Sequence, residues 1–256
     1  MADANPFPKL RAIAVLIDGD NAQSSLLDEI LAEISKYGRT AIRRIYGDWT
    51  EPNMNGWKDV LQENAIQPIQ QFRHTVGKNA TDSAMIIEAM DILHSGVTDG
   101  FCVVSSDSDY TRLATRIREK GLFVMGIGRQ ATAKSFRNAC DVFVFTENLI
   151  PRAENLIPQA EKAKQKPVQS SAPTRILSVM KALPLLRRAL ENCAQDDGWA
   201  TLSSIGSTMR SLDSSFDLRT YGCSNLRTLI GKFPDFLVVR EEKTNGGNTV
   251  AFVRYK

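Results

Sequence analysis

Histidines and paired cysteines are scarce in this chain, and their scarcity excludes several kinds of catalytic and metal site. The 256 residues include only two histidines, His74 in a basic loop and His94 at the end of an apolar helical face. Neither a Ser-His-Asp triad nor a histidine zinc site is therefore indicated. The cysteines show no Cys-x-x-Cys spacing, which indicates reduced packing residues rather than a disulfide or zinc scaffold. They are Cys102, Cys140, Cys193 and Cys223.

Long apolar runs and phosphate-binding loops are also missing from the sequence. No stretch approaches the ~18 uninterrupted apolar residues that a membrane helix needs. The segment from Met1 to Pro6 has neither the basic end nor the apolar core of a signal peptide, so we expect a soluble, cytoplasmic protein. Gly126-Ile127-Gly128 follows an apolar run but lacks the third glycine of a dinucleotide-binding loop, and the sequence has no Walker lysine loop.

Charge and composition divide the chain into two parts. Residues 1–150 carry 16 basic and 19 acidic side chains, whereas residues 174–256 carry 12 basic and 8 acidic ones. Residues 151–173 are rich in Lys, Gln, Ser and Pro and cannot bury enough apolar surface to order themselves. We predict a first domain at 1–150, a flexible linker at 151–173 and a second domain at 174–256. The charges suit a nuclease joined to a nucleic-acid-binding module, although ordinary solvated surfaces would give similar values.

Apolar runs alternate with helical patterns in the first part of the chain. This alternation predicts an α/β fold, in which a parallel sheet carries helices on both faces. In such sheets, ligands bind at the carboxyl ends of the strands, where the strand order reverses. The predicted strands are 12–17, 41–47, 66–71, 101–105, 122–127 and 142–145, and the predicted helices lie near 24–37, 55–64, 82–94, 109–120 and 132–139.

Four aspartates lie at the ends of the apolar runs or at the start of a helix. Asp18 ends the first predicted strand, Asp107 and Asp109 follow the fourth, and Asp82 stands in the first turn of the third predicted helix. If the first and fourth strands flank the reversal of strand order, these acids face one another across the crevice. Each acid alone could be a helix cap, a turn residue or a partner of the helix dipole. Four such coincidences in one domain favour a shared site.

A cluster of carboxylates needs a positive partner. Two carboxylates ~4 Å apart repel by roughly 4 kcal/mol at an effective dielectric constant of about 20, so a cluster requires a cation or shared protons. Oxygen ligands without thiolate or imidazole select Mg²⁺ or Mn²⁺ rather than zinc. Asp18-Gly19-Asp20 is also similar to the nucleophile loop of haloacid-dehalogenase-type phosphatases, although Ala22 stands where that family has Thr or Val.

Three segments of the first part resemble the acidic motifs of NYN domains, which are relatives of the PIN nucleases. They are Val15-Leu16-Ile17-Asp18-Gly19-Asp20-Asn21, Lys78-Asn79-Ala80-Thr81-Asp82 and Ser105-Ser106-Asp107-Ser108-Asp109-Tyr110. The resemblance covers residues 10–150 and implies a PIN-like, Rossmann-like fold and metal-dependent ribonuclease activity with one or two divalent ions. It implies that the catalytic metal ligands are Asp18, Asp82, Asp107 and Asp109, supported by Asn21, Asp20 and Ser105.

The second part of the chain resembles the LOTUS (OST-HTH) winged-helix module over residues 198–206 and 216–230. This module often accompanies NYN domains, and the resemblance implies a domain that binds RNA or docks a protein. The predicted helices lie near 182–194, 202–212 and 223–232, and a hairpin wing is predicted from strands 236–240 and 249–254 joined through Asn245-Gly246-Gly247-Asn248.

The sequence favours a divalent-metal-dependent endoribonuclease that cleaves RNA phosphodiester bonds with a metal-activated water. Single-stranded RNA is the expected substrate because Trp49 or Tyr110 could stack on splayed bases, although both could equally be packing residues. Basic side chains near strand or helix ends, and on the second domain, are expected to contact phosphates. They are Lys78, Arg43, Arg73, Lys134, Arg219, Arg227 and Lys232.

A second hypothesis belongs to a different functional class. The PIN-like domain could keep its acids but turn over little, while the C-terminal module recruits RNA or a protein partner as an adaptor. The complete acidic set argues against this, since a domain under no catalytic demand could replace mutually repelling acids at no cost. Neither hypothesis involves a membrane.

Overall fold

The chain folds into two domains. The computed structural model describes residues 10–72, 80–150, 179–195, 197–243 and 249–256. The predicted linker and the predicted turn of the wing lie outside these described residues.

The first domain is built on a six-stranded sheet in which every pairing is parallel. Its strands are β1 (Leu10–Asp18), β2 (Gly38–Gly47), β3 (Gln67–Gln70), β4 (Gly100–Val104), β5 (Phe123–Gly128) and β6 (Val142–Phe145). They follow the order β3-β2-β1-β4-β5-β6. The predicted parallel sheet is confirmed. The order reverses between β1 and β4, so the condition set for the facing acids is met.

Helices cover both faces of this sheet. They are α1 (Leu27–Ser35), α2 (Asn55–Glu63), α3 (Ala80–Ser95), α4 (Thr111–Glu119) and α5 (Lys134–Ala139). Side chains alternate along β1: Val15 joins a core with residues of α1 and α2, whereas Leu16 joins a second core with residues of α3, α4 and α5. In the described parts of the chain, no helix is both long and apolar enough to cross a membrane.

The second domain is a small helical core closed by an antiparallel sheet. Its elements are α6 (Leu183–Cys193), β7 (Ala200–Thr201), α7 (Leu202–Leu212), α8 (Leu226–Ile230), β8 (Leu237–Lys243) and β9 (Thr249–Tyr255), with the sheet order β7-β9-β8. The helix predicted near 223–232 is shorter than expected. Asn225 caps it by accepting a hydrogen bond from the Thr228 N–H (2.8 Å), and Gly222 before it has a left-handed backbone (φ 68°).

The second domain packs against the first along β6, the strand at one edge of the sheet. The Phe143 N–H donates to the Ser214 carbonyl (2.9 Å), and the Ser214 hydroxyl donates to the Arg137 carbonyl (2.7 Å). Arg219 donates to both carboxylate oxygens of Glu33 on α1, at 2.9 and 3.1 Å. We call this Arg219–Glu33 contact the interdomain ion pair. The docking also satisfies a backbone donor that an edge strand would otherwise leave open.

Candidate metal centre

Three carboxylates converge where the strand order reverses. Asp82, Asp107 and Asp109 offer oxygen atoms that all lie within 4.8 Å of one another. Asp107 caps a 3-10 turn at Ser108–Tyr110, directly after the carboxyl end of β4, and Asp82 lies in the first turn of α3. The segment after one parallel strand and the start of a neighbouring helix therefore form this group together.

Asp18 lies beside this group but is not one of its three members. It ends β1, is fully buried (0% exposed), and accepts hydrogen bonds at Oδ2 from the Ser105 hydroxyl and the Asn21 amide, both at 2.7 Å. The Asp20 N–H donates to its Oδ1 (3.2 Å). Burial raises the pKa of Asp18, the nearby charges of Asp82 and Asp20 raise it further, and the bonds from Ser105 and Asn21 oppose the rise.

One hydroxyl links Asp18 to Asp107. Ser105 donates to Asp18 and accepts from the Asp107 N–H (3.0 Å). Asp107 in turn accepts at Oδ1 from the Asp109 N–H (2.9 Å). Ser105 therefore fixes the end of β1 relative to the acidic turn after β4. Its supporting role in catalysis stays a prediction.

Tyr110 holds the remaining carboxylate of the group. Its hydroxyl donates to Asp82 Oδ1 (2.6 Å). Burial raises the pKa of Asp82, the charges of Asp107 and Asp109 also raise it, and the hydrogen bond from Tyr110 lowers it. The pKa of Tyr110 itself is strongly raised by burial and by the neighbouring carboxylates, so this phenol stays a proton donor.

The two aromatic residues considered for base stacking have packing roles instead. Tyr110 is fully buried (0% exposed) between α3 and the acidic turn, so its ring cannot stack on a base. Trp49 is partly buried, and its indole N–H donates to the Ile69 carbonyl (3.1 Å). The sequence could not show that Tyr110 is buried against Asp82. A tyrosine that follows two acidic residues can either donate to a distant carboxylate or expose its ring, and the neighbouring residues are the same in both cases.

A further acid, Asp20, is held next to the group. Asn53 donates to its Oδ1 (3.1 Å), and the Thr81 hydroxyl donates to its Oδ2 (3.3 Å). Thr81 appeared in the sequence only as the neighbour of Asp82 in the second acidic motif, and Asn53 carried no signal in the sequence. The charge of Asp20 helps to raise the pKa of both Asp18 and Asp82, which places it within electrostatic reach of the centre.

The donor set fits a hard divalent cation. The three-membered group consists of carboxylate oxygens alone, and its neighbours Asp18 and Asp20 add negative charge. The raised pKa values of Asp18 and Asp82 reflect burial together with mutual repulsion, which a bound cation would relieve. Oxygen ligands without sulfur or imidazole favour Mg²⁺ or Mn²⁺.

Two of the arginines expected to contact RNA are engaged by other groups. The Arg43 guanidinium donates to the Thr40 hydroxyl and to the Asn64 carbonyl, both at 2.7 Å. Arg227 forms an ion pair with Glu241 on β8. RNA contact by Arg43 or Arg227 stays a prediction. These existing bonds do not favour it, because each guanidinium would have to leave a protein partner to bind a phosphate.

Three of the other expected RNA contacts, Arg219, Lys134 and Lys232, lie in the described parts of the chain. Arg219 belongs to the interdomain ion pair, so its guanidinium joins the domains. Lys134 lines a cavity between the domains, and Lys232 is exposed on the second domain. Lys78 and Arg73 lie outside the described residues.

Two solved structures resemble this chain at low similarity. A protein of unknown function from Vibrio parahaemolyticus is 16% identical with a TM-score of 0.45, over 54% of this chain and 94% of that one. An uncharacterised protein from Nitrosomonas europaea is 26% identical with a TM-score of 0.28, over 39% of this chain and 92% of that one. Curated proteins gave no match.

Family models give a specific result. Residues 12–149 match the NYN domain, a PIN-like nuclease domain, and residues 179–249 match the OST-HTH/LOTUS domain, an RNA-binding domain. Both resemblances expected from the sequence are confirmed. Since the first match spans more than half of the chain, the protein belongs to the NYN domain family and carries an OST-HTH/LOTUS domain after its NYN domain.

Proposed function

We propose that this protein is an endoribonuclease that uses Mg²⁺ or Mn²⁺ to cleave single-stranded RNA. The observation that carries the proposal is the group formed by Asp82, Asp107 and Asp109 at the reversal of strand order. The NYN family is a nuclease family, and the OST-HTH/LOTUS domain is an RNA-binding module, so both halves of the chain suit an RNA substrate.

The residues of the centre have distinct tasks in this proposal. Asp82, Asp107 and Asp109 would hold the ion. When bound, a divalent ion supplies Lewis acidity, which lowers the pKa of water and offsets charge on phosphate oxygens. Tyr110 keeps Asp82 oriented and ionised through its hydrogen bond. Asp18, fixed by Ser105 and Asn21, adds negative charge behind the group.

Among the described residues, His94 and Asp18 are poorly placed to act as a base or a nucleophile at the centre. His94 lies twelve residues after Asp82 on α3, and at 1.5 Å per residue the two are about 18 Å apart along the helix. A haloacid-dehalogenase-type phosphatase would need Asp18 as an accessible nucleophile. Asp18 is fully buried, and both of its oxygens accept hydrogen bonds, which argues against that alternative.

The direct test is a cleavage assay on labelled single-stranded RNA. Purified protein should produce internal cuts with Mn²⁺ or Mg²⁺ and none with a chelator, and zinc should not substitute. An Asp91→Asn variant controls for charge, because Asp91 is an exposed acid on the same helix as Asp82. RNA binding without any metal-dependent cutting would support the adaptor hypothesis instead.

Tyr110→Phe should weaken metal binding at the site without unfolding the protein. Loss of its hydrogen bond raises the pKa of Asp82 further, so protons compete better with the cation, most strongly at low pH. Supporting hydrogen bonds of this kind affect metal affinity or activity by about 10–100-fold. We expect the Mn²⁺ concentration for half-maximal cleavage to rise on that scale. Tyr221→Phe, in the second domain, is the control, and an unchanged Mn²⁺ requirement in Tyr110→Phe would contradict the assignment.

The proposal also includes a cytoplasmic location and a division of the chain into two domains and a linker. The first domain is 1–150, the linker is 151–173 and the second domain is 174–256. The two family matches fall inside the first and third ranges. The same proposal names single-stranded RNA as the substrate and Mg²⁺ or Mn²⁺ as the ion. It also allows the second domain to dock a protein partner.

A further inference from the structure

A large cavity lies between the two domains, away from the carboxylate group. Its volume is about 1020 Å³, at the upper end of the range for ligand pockets. Both domains supply basic side chains to its lining. The first domain contributes Lys36, Arg118 and Lys134, and the second contributes Lys181, Arg188, Arg210 and Arg219.

The acids in the lining are already engaged within the protein. Glu33 and Asp217 accept from Arg219, Asp213 accepts from Ser215, and Asp141 accepts from the Val124 N–H. By contrast, Lys134, Lys181 and Arg188 are exposed, and none of them forms an ion pair with another described residue. With seven basic and four acidic side chains in its lining, the cavity has a net positive charge, and basic side chains come from both walls.

Aromatic rings lie among these cations. Tyr37 and Phe216 both line the cavity and are partly exposed. Tyr37 is held by stacking on Phe123 (5.5 Å between ring centroids), and Phe216 packs against Tyr221 (6.1 Å). Rings that are braced from within the protein can offer a fixed surface to a base, because little side-chain freedom is lost on binding.

We propose that this interdomain cavity binds a segment of single-stranded RNA. Lys134, Lys181 and Arg188 would contact phosphates, and Tyr37 and Phe216 would stack on bases. Basic grooves interleaved with aromatic rings are the general means of holding single-stranded nucleic acid, whereas an acidic peptide would use the cations but gain little from the rings. The inference deepens the proposed function, on which it rests, by making RNA binding a joint property of both domains.

Three substitutions test the proposal in the full chain. Lys134→Gln, Lys181→Gln and Arg188→Gln together remove three positive charges from the cavity. The matched control combines Lys120→Gln, Arg187→Gln and Lys256→Gln, which remove the same charge from exposed positions outside it. The sharpest comparison is between Arg187 and Arg188, neighbours on α6 of which only Arg188 lines the cavity.

RNA affinity should be measured against salt concentration with labelled oligouridine and a chelator, so that no cleavage occurs. Three lost phosphate contacts should lower the slope of log affinity against log salt by about 2, since each contact to a single strand contributes roughly 0.7. The control triple should lose much less. Equal slopes for the two triples would overturn the proposal, as would a cavity triple that loses affinity for polyglutamate but not for RNA.

Photo-crosslinking gives an independent readout of the aromatic residues. Oligonucleotides that contain thiouridine should crosslink to peptides bearing Tyr37 or Phe216, and crosslinks confined to the exposed surface around Lys232 would overturn the proposal. Because binding is measured without metal, the result is separable from the nuclease assignment. Binding in the cavity without cleavage would support this inference and refute the proposed activity. Metal-dependent cleavage by the parent protein, together with unchanged RNA affinity of the cavity triple, would support the proposed activity and refute this inference.

Discussion

Asp82→Asn and Asp107→Asn should each reduce metal-dependent RNA cleavage by roughly 10²-fold or more, the scale on which a single preorganised electrostatic group acts. Asparagine keeps the shape of the side chain but removes the charge that would hold the cation. The oxygens of these two residues and of Asp109 lie within 4.8 Å of one another, so each loss changes the charge of the whole group.

The same variants should stay folded, and in the absence of metal they should melt at the same or a higher temperature. The pKa of Asp82 is raised by burial and by Asp107 and Asp109, which means that its ionised form destabilises the native state at neutral pH. Removing the charge removes that cost. Adding Mn²⁺ should raise the melting temperature of the parent protein more than that of the variants, because binding to the native state stabilises it.

Thermal melting with and without Mn²⁺, together with initial rates of cleavage, measures both effects. Asp91→Asn on the same helix should match the parent protein in both. Full activity in Asp82→Asn and Asp107→Asn would disprove the location of the metal centre. Asp18→Asn is a less selective test, because both carboxylate oxygens of Asp18 accept hydrogen bonds and an amide keeps only one of these acceptors. The new NH₂ group would face either the Asp20 N–H or the donors Ser105 and Asn21, and would disturb the end of β1.

The parts of the fold that sequence predicted well are those that depend on local patterns. Apolar runs followed by acidic residues predicted β1 and β4. The alternation of apolar runs with helical patterns predicted that the sheet is parallel. The carboxyl ends of neighbouring parallel strands meet at one edge, so Asp107 and Asp109 could be expected near Asp18, and Asp82 was expected to join them from the first turn of its helix. The burial of Asp18 also follows from its place at the end of a central strand.

The contacts that sequence could not predict are those between residues far apart in the chain. Arg219 was expected to contact phosphate because it is a basic side chain of the second domain, yet it pairs with Glu33, 186 residues earlier. Glu33 interrupts the apolar face of α1, and no local rule says which distant cation meets it. The docking of the second domain on β6 could not be predicted for the same reason. The apolar run Val142–Phe145 predicts a buried strand, but it does not show which distant segment covers the edge of that strand.

Arg219→Met should weaken the docking of the two domains by about 1–3 kcal/mol, the cost of leaving a buried charged group without one of its hydrogen-bond partners. Glu33 is 6% exposed and would retain only its bond to Lys36 (2.7 Å). The Arg219 side chain is 37% exposed, so solvent screening keeps the effect below that of a fully buried pair. Arg187→Met, which breaks an exposed pair with Glu191, should have little effect.

The dependence of docking on pH follows from the same ion pair. Burial alone would raise the pKa of Glu33, but hydrogen bonds from Arg219 and Lys36 outweigh it and lower the pKa below its ordinary value. A group with a lowered pKa in the folded state contributes stability that is present at neutral pH and is lost as the pH falls through that lowered pKa. Fluorescence energy transfer between dyes on the two domains should therefore decrease in acid for the parent protein.

Arg219→Met should decrease the energy transfer already at neutral pH, because Glu33 is then buried with a single partner. Adding Glu33→Gln to Arg219→Met should restore part of it, since the double variant no longer buries an unpaired charge. The double variant should also lose the acid-induced decrease, because the titrating carboxyl has gone. If Arg219→Met kept the full transfer at every pH, the other interdomain hydrogen bonds, among them Phe143–Ser214 and Ser214–Arg137, would be sufficient to dock the domains. The interdomain ion pair would then contribute specificity of position rather than affinity.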